Sequence, residues 1–148
     1  MPFQFTLQPV LRLRVSYERI ERLRLLQIAA AMVQVQNEIS AAVRESEAAR
    51  QSLRERLARG SSGVEIQFEA ACDAARLNYR QALDARLAVL RRKHETQKVA
   101  YRNARQKREI VETLRERQFH EYLREQARRE QRVQDELYLL RHGNPLAE

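Results

Sequence analysis

The sequence predicts an all-α fold in which two long helices form an antiparallel coiled-coil hairpin. Charged residues make up 32% of the 148 residues, aromatic residues make up 6%, and there is no Trp, a composition typical of long helices. Gly and Pro, three of each, cluster near the two ends and at 60–63, which leaves two long runs without a strong helix breaker. Within those runs, apolar residues repeat at alternating steps of three and four, the spacing of a coiled-coil seam.

The first helix is predicted from about residue 8 to residue 59. Pro9 is compatible with its first turn, where the missing N–H would have no helical partner. The clearest apolar repeat comprises Ile28, Met32, Val35, Ile39, Ala42, Ala49 and Leu53. Upstream the repeat shifts in phase, which predicts a stutter, and the shifted residues are Val10, Leu13, Tyr17 and Ile20. A second apolar edge borders the repeat and comprises Leu23, Leu26, Ala30 and Val33.

A hinge is predicted at residues 60–63, between the two helices. Gly60 is placed to take the left-handed conformation that closes a helix. Ser62 and Glu65 have the spacing of a capping box, in which the Ser hydroxyl accepts from the N–H three residues on and the Glu carboxylate accepts from the Ser N–H. Because the connection is so short, the two helices must run antiparallel.

The second helix is predicted from about residue 64 to residue 141, with a short tail at 142–148, and the whole chain is predicted to be a single coiled-coil domain. Its first apolar positions are Phe68, Cys72, Ala75, Tyr79 and Leu83. An antiparallel register about the hinge pairs Val10 with Thr113. The second helix therefore continues beyond about Leu114 as an overhang without a partner on the first helix, although apolar spacing persists to Leu140. An apolar stripe with no internal partner is a candidate surface for another protein.

The apolar stripe just after the hinge has two interpretations. Its residues, Phe68, Cys72, Ala75 and Tyr79, can belong to the intramolecular seam, because seam residues are commoner than partner anchors. Alternatively, Phe68 and Tyr79 are bulky beside small neighbours and protrude as anchors for a partner. The spacing alone leaves both interpretations open.

No residue pattern in the chain predicts an enzyme, a metal site or a cofactor site. The three His lie far apart in charged stretches, whereas metal sites need clustered ligands. The single Cys72 fits an apolar seam position and cannot form an internal disulfide. There is no Gly-rich phosphate-binding loop of the P-loop type. We therefore expect a protein with no catalytic residues, no bound metal and no cofactor.

The charge balance is strongly basic, with a net charge of +8. That balance permits nucleic acid, an anionic membrane surface or an acidic protein as partner. The basic residues of the second helix alternate with Glu, which favours a solvated face over a helix that reads DNA. No apolar run approaches the roughly 20 residues that span a bilayer, and no signal peptide is visible. We expect a cytoplasmic protein that does not bind nucleic acid and reaches a membrane only through a partner.

The two ends of the chain carry a more specific resemblance. The N-terminal part reads F-x-F-x-L-x-x-V-L-x-L-R from Phe3 to Arg14, and the C-terminal part reads R-R-E-Q-R-V-Q-D-E-L from Arg128 to Leu137. Together with the length, the hinge position and the overhang, these motifs resemble the FliJ family of flagellar export proteins, which belongs to the bacterial flagellar type III secretion apparatus. The resemblance implies a two-helix coiled coil similar to the central stalk of rotary ATPases.

The resemblance also implies partners and a location. It implies a non-catalytic stalk that binds the hexameric export ATPase ring and its regulator, promotes ATPase activity, contacts the cytoplasmic linker of the membrane export gate and handles export chaperones. The implied location is the inner face of the cell membrane at the flagellar base, with a role in flagellum biogenesis, motility and chemotaxis. The ATPase-facing candidates are Phe3, Phe5, Leu11, Arg128, Glu130, Gln131, Asp135, Glu136 and Leu137. The gate-facing candidates are Phe68, Cys72, Ala75 and Tyr79.

Two other functions fit the same pattern. One is the equivalent stalk of a virulence-type injectisome, whose fold should match. The other is a generic scaffold coiled coil, for which the heptad repeat alone would suffice.

Overall fold

The computed structural model describes residues 1–143, and most of them lie in two long α-helices. Helix α1 runs from Gln8 to Arg59 and helix α2 from Gly63 to His142. The prediction of an all-α fold with two helices paired as a hairpin is confirmed. Residues 144–148, which include most of the predicted tail, lie outside the described residues.

The chain divides into two compact units. The hinge unit is Arg19–Arg102, and the terminal unit combines Met1–Glu18 with the described residues from Asn103 onwards. Each unit contains a part of α1 and a part of α2. The prediction of a single domain stays a prediction.

In the hinge unit, α1 and α2 are joined by a turn at residues 60–62. Gly60 has a φ of +92°, a conformation that costs Gly little and that residues with a side chain rarely adopt. Its N–H donates to the carbonyl oxygen of Leu57 at 3.2 Å. The Ser62 hydroxyl accepts from the N–H of Glu65 at 3.3 Å, while the reciprocal bond of the predicted capping box does not form among the described residues. The residues that end α1 and those that cap the start of α2 therefore lie within one short segment.

The apolar core of the hinge unit is a narrow strip between the two helices. Its buried side chains are Val35, Ala42, Leu83 and Leu87, with Met32, Ile39 and Leu90 packed against them. Val35 is the most deeply buried, at 1% exposed. Burying one such aliphatic side chain contributes about 1.5–3 kcal/mol, so a few contacts supply much of the stability of this unit.

Near the hinge the seam is polar, so of the two interpretations of the apolar stripe the intramolecular seam is wrong. Three of the predicted seam residues, Phe68, Ala75 and Tyr79, are exposed, and Cys72 is half-buried. The phase set by Leu83 instead continues towards the hinge through the buried or half-buried residues Arg80, Arg76, Asp73 and Glu69. An apolar residue type favours a seam position, whereas the seam keeps its heptad phase and accepts charged residues that have a partner of opposite charge.

The predicted stutter in α1 is also wrong, because the seam keeps one phase along the helix. The shifted apolar residues Val10, Leu13, Tyr17 and Ile20 are all exposed. The seam positions continue the repeat of the core and are Leu25, Glu21, Glu18, Arg14 and Leu11, all buried or half-buried. Polar residues occupy the seam where a partner on α2 satisfies them, as when the side-chain amide of Gln97 donates to the carboxylate of Glu21.

In the terminal unit, the residues that precede α1 lie against α2. Phe5 and Leu11 are buried, and the ring of Phe3 lies edge-on to that of Phe119, with centroids 5.3 Å apart. The hydroxyl of Tyr122 donates to the carbonyl oxygen of Met1. The N-terminal segment, residues 1–7, therefore covers α2 as far as Tyr122.

This contact shortens the overhang of α2. The antiparallel register predicts that α2 loses its partner after about Leu114, but the N-terminal segment extends the pairing to Tyr122. Among the described residues, every one from 127 onwards is exposed. A register between the two helices alone does not include residues 1–7, which precede α1 and place Phe3 and Phe5 against α2.

We expect Leu83→Ala to destabilise the protein by about 2–5 kcal/mol, because it opens a cavity in a strip that has few other buried side chains. The measurement is urea unfolding followed by helical circular dichroism. Leu26→Ala is the matched control, since Leu26 is 59% exposed on α1 and should change stability by no more than about 0.5 kcal/mol. Equal losses for the two variants would contradict the assigned core.

Candidate partner-binding surfaces

The overhang of α2 (residues 127–142) is exposed throughout, and it carries most of the predicted ATPase-facing residues. These are Arg128, Glu130, Gln131, Asp135, Glu136 and Leu137. The polar side chains bond locally, as when Gln131 Nε2 donates to Asp135 Oδ1 at 3.0 Å, one turn further along. Such bonds support the helix and leave the side chains on its surface.

The end of the overhang presents four consecutive apolar side chains, Leu137, Tyr138, Leu139 and Leu140. They are between 49% and 78% exposed. Val133, Leu137 and Leu140 follow one another at steps of four and three residues and form a stripe on one helix face. Contiguous apolar surface of this kind is characteristic of a protein-binding site.

This stripe does not continue the seam of the hairpin. In the terminal unit the seam passes through the half-buried residues Gln118 and Tyr122. Continued at the same spacing, it reaches Arg129, Arg132 and Glu136, which are charged and exposed. The apolar stripe lies to one side of these positions, on a helix face that no other described residue covers.

The three N-terminal ATPase-facing candidates form a separate cluster with α2. Phe5 and Leu11 are buried, and Phe3 is half-buried between Phe119 and Tyr122. A shallow cavity of about 240 Å³ lies beside Phe3 and Phe119 and is also lined by Glu112, Arg115 and Glu116. The structure thus separates the predicted set into packed residues at the N-terminus and exposed residues on the overhang.

In the terminal unit, Arg108 of α2 forms an ion pair with a residue near the start of α1. It lies at a seam position and forms ion pairs with Glu18 on α1 and with Glu112 one turn further along α2. Burial lowers the pKa of the Arg108 guanidinium, but the carboxylates of Glu18, Glu112 and Glu109 outweigh it, and the pKa is raised. Arg108 therefore stays charged and holds Glu18 in the seam.

A second charged cluster lies in the seam beside the hinge. The buried carboxylate of Glu69 accepts from Arg56 on α1 at 3.3 Å and from Arg76 on α2 at 3.4 Å. Arg76 also donates to Asp73 at 3.1 Å. Burial lowers the pKa of Arg76, yet hydrogen bonds to the two carboxylates outweigh it and raise that pKa. These contacts place Glu69, rather than the neighbouring Phe68, in the seam.

The hinge stripe (Phe68, Cys72, Ala75 and Tyr79) consequently lies beside the seam and faces outwards. Phe68 is 68% exposed and Tyr79 is 54% exposed. Cys72 is half-buried and Ala75 is exposed, so small side chains separate the two aromatic rings. Two exposed aromatic rings with small side chains between them form a candidate surface for a partner.

Two features are absent from the part of the chain that the structure describes. Residues 1–143 contain no group of three or more His, Cys, Asp or Glu arranged to hold a metal ion. No helix among them is long and apolar enough to cross a membrane.

Comparison with known families gives one match. A family model described as Flagellar FliJ protein matches residues 3–146, a span that includes the N-terminal cluster, the hinge stripe and the overhang. Neither a curated protein nor a solved structure matches the chain.

We expect Phe3→Ala to release the N-terminal segment without unfolding the helices, because an aromatic pair contributes about 0.5–1.5 kcal/mol beyond the area that it buries. The backbone amides of Gln8 and Leu11, which donate to Phe5 and Leu7, should exchange hydrogen about three- to tenfold faster. Phe68→Ala is the control, since it removes an exposed ring and should leave these amides unchanged. Unchanged exchange in Phe3→Ala would contradict the assigned contact.

Proposed function

The chain belongs to the flagellar FliJ protein family, and on that premise we propose that it is a non-catalytic stalk and coupling factor of the flagellar export apparatus. Family membership makes it a component of flagellar protein export. The proposal adds that it binds the hexameric export ATPase and its regulator, contacts the membrane export gate and promotes ATP hydrolysis. Delivery of export chaperones and their substrates belongs to the same proposal.

The observation that carries the proposal is the exposed apolar stripe of the overhang. Val133, Leu137 and Leu140 lie on a face that none of the described residues, 1–143, covers. A ring of identical subunits can bind a helical element in its central opening, and an uncovered helix face supplies contact area there.

The residues of the proposed ATPase interface have different roles. Leu137 is the apolar anchor, while Arg128, Glu130, Asp135 and Glu136 form a polar rim around it, the usual arrangement of a protein interface. Gln131 belongs to the same rim. Phe5 and Leu11 are buried, so in this proposal they act by holding the N-terminal segment in place, and Phe3 offers its exposed edge.

The proposed gate interface is the hinge stripe. It belongs to the hinge unit, whereas the overhang belongs to the terminal unit. A substitution in one surface therefore leaves the residues of the other unchanged, and the two binding activities are separable by mutation. Phe68 and Tyr79 are the proposed anchors, with Cys72 and Ala75 between them.

The proposed location follows from these partners. A chain that binds both a cytoplasmic ATPase and a membrane gate lies in the cytoplasm at the inner face of the membrane, at the flagellar base. Its loss should impair flagellum assembly and, with it, motility and chemotaxis. The family match is to flagellar proteins, which favours this assignment over an injectisome stalk. No nucleic acid is part of the proposal, since Glu residues interrupt the basic run of α2.

We expect Leu137→Lys to reduce stimulation of the cognate export ATPase about tenfold, because a central apolar anchor contributes more than about 1 kcal/mol. The measurement is steady-state ATP hydrolysis with and without the full-length chain. Ile110→Lys is the control, since Ile110 is 66% exposed on α2 but lies before the overhang. The proposal fails if the wild-type chain does not stimulate hydrolysis, or if the two variants behave alike.

We expect Phe68→Ala and Tyr79→Ala each to weaken binding to the isolated cytoplasmic linker of the export gate about tenfold, because each removes an aromatic anchor. Isothermal titration calorimetry measures the binding, and stimulation of the ATPase should be unchanged. Leu77→Ala is the matched control, since Leu77 is 57% exposed on another face of the same helix. Equal weakening in Leu77→Ala would rule out the hinge stripe as the specific surface.

A further inference from the structure

The side of α1 that faces away from α2 carries an apolar stripe that belongs neither to the seam of the hairpin nor to the two proposed interfaces. In the hinge unit this outer stripe comprises Leu23, Leu26, Ala30 and Val33, all exposed. The seam of the same segment passes instead through the partly or fully buried residues Leu25, Ile28, Met32 and Val35. The outer stripe therefore lies behind the seam, although the sequence places it as an edge of the seam.

The composition of this part of α1 is that of a covered helix. Residues 25–43 contain one charged residue, Glu38, whereas charged residues make up 32% of the chain. Glu38 is engaged at the hairpin in an ion pair with Arg86 on α2, at 3.8 Å. A solvated outer helix face normally carries charged as well as polar side chains, whereas the exposed polar residues here, among them Gln27, Gln34 and Asn37, are all uncharged.

Two cations border the outer stripe at its N-terminal end. Arg19 and Arg22 lie one turn before Leu23 and Leu26, and both are exposed. Neither forms an ion pair within residues 1–143, whereas the nearby Arg24 pairs with Glu21 at 3.0 Å. The stripe thus combines an apolar face with uncompensated positive charge at one end.

We propose that the outer stripe is a third docking surface, which binds an amphipathic helix of another protein with acidic residues beside its apolar seam. The steps of three and four between the four stripe residues match the spacing at which a second helix packs. Acidic residues on the partner would pair with Arg19 and Arg22, and opposite charge across an interface fixes the orientation of the bound helix. The surface shares no residue with the overhang or the hinge stripe.

A second copy of this chain is a poorer occupant than an acidic helix. Two outer stripes paired about a twofold axis near Ile28 would set Arg22 against Gln34 and Arg19 against Asn37. Both cations would stay unpaired, and each chain carries a net charge of +8, which disfavours association. Charge complementarity therefore selects an acidic partner.

The test uses two synthetic helical peptides with the same Leu heptad seam, one flanked by Glu and the other by Lys. Fluorescence anisotropy measures the binding of each labelled peptide to the full-length chain. We expect the Glu peptide to bind at least about tenfold more tightly than the Lys peptide, and added salt to reduce the difference. Leu26→Lys should weaken binding of the Glu peptide at least about tenfold, as expected for an anchor at the centre of an interface.

Val99→Lys is the matched control, because Val99 is 54% exposed on α2 in the same unit. This variant should bind the Glu peptide as tightly as the wild type does. Thermal unfolding checks that both variants keep the wild-type stability. A double variant, Arg19→Glu with Arg22→Glu, should reverse the preference in favour of the Lys peptide. The proposal is overturned if both peptides bind equally, if Leu26→Lys has no effect, or if sedimentation equilibrium shows a dimer that Leu26→Lys abolishes.

Discussion

The packing of Val35 and Ala42 of α1 against Leu83 and Leu87 of α2 is the contact on which the rest of the structure depends. In proteins, tertiary packing of one amphipathic face supplies most of the stability of a helix. Two helices share a single interface, so one buried strip sets the heptad phase of both. Once that phase is set, every other side chain of each helix is assigned to the seam or to the surface.

The charged residues of the seam follow from this phase. Glu69 and Arg108 lie at positions that the repeat directs inwards, and each is matched by opposite charges. A buried ion pair adds little net stability, but removing one partner leaves an uncompensated charge that is costly. We therefore interpret these pairs as devices that hold the register of the helices, while the apolar strip supplies the stability.

The same phase leaves large apolar side chains outside the seam, and these form the proposed partner-binding surfaces. Phe68 and Tyr79 point outwards because Glu69 occupies the seam, and Leu137 and Leu140 lie beside seam positions that are charged. For a family whose role lies in protein export, this is a useful arrangement. The hairpin is held by few residues, and its apolar surface remains available to other proteins.

The sequence by itself determined the helices, the turn and the family. Long runs without Gly or Pro, the left-handed Gly60 and the cap at Ser62 are local features, and local energetics decides them. Only the tertiary structure decided that Glu69 lies inside while Phe68 lies outside, and that Phe3 packs against Phe119. An apolar residue facing a partner and one facing the seam give the same pattern along the chain. A charged seam residue is recognisable only when its counterpart, distant in sequence, is brought beside it by folding.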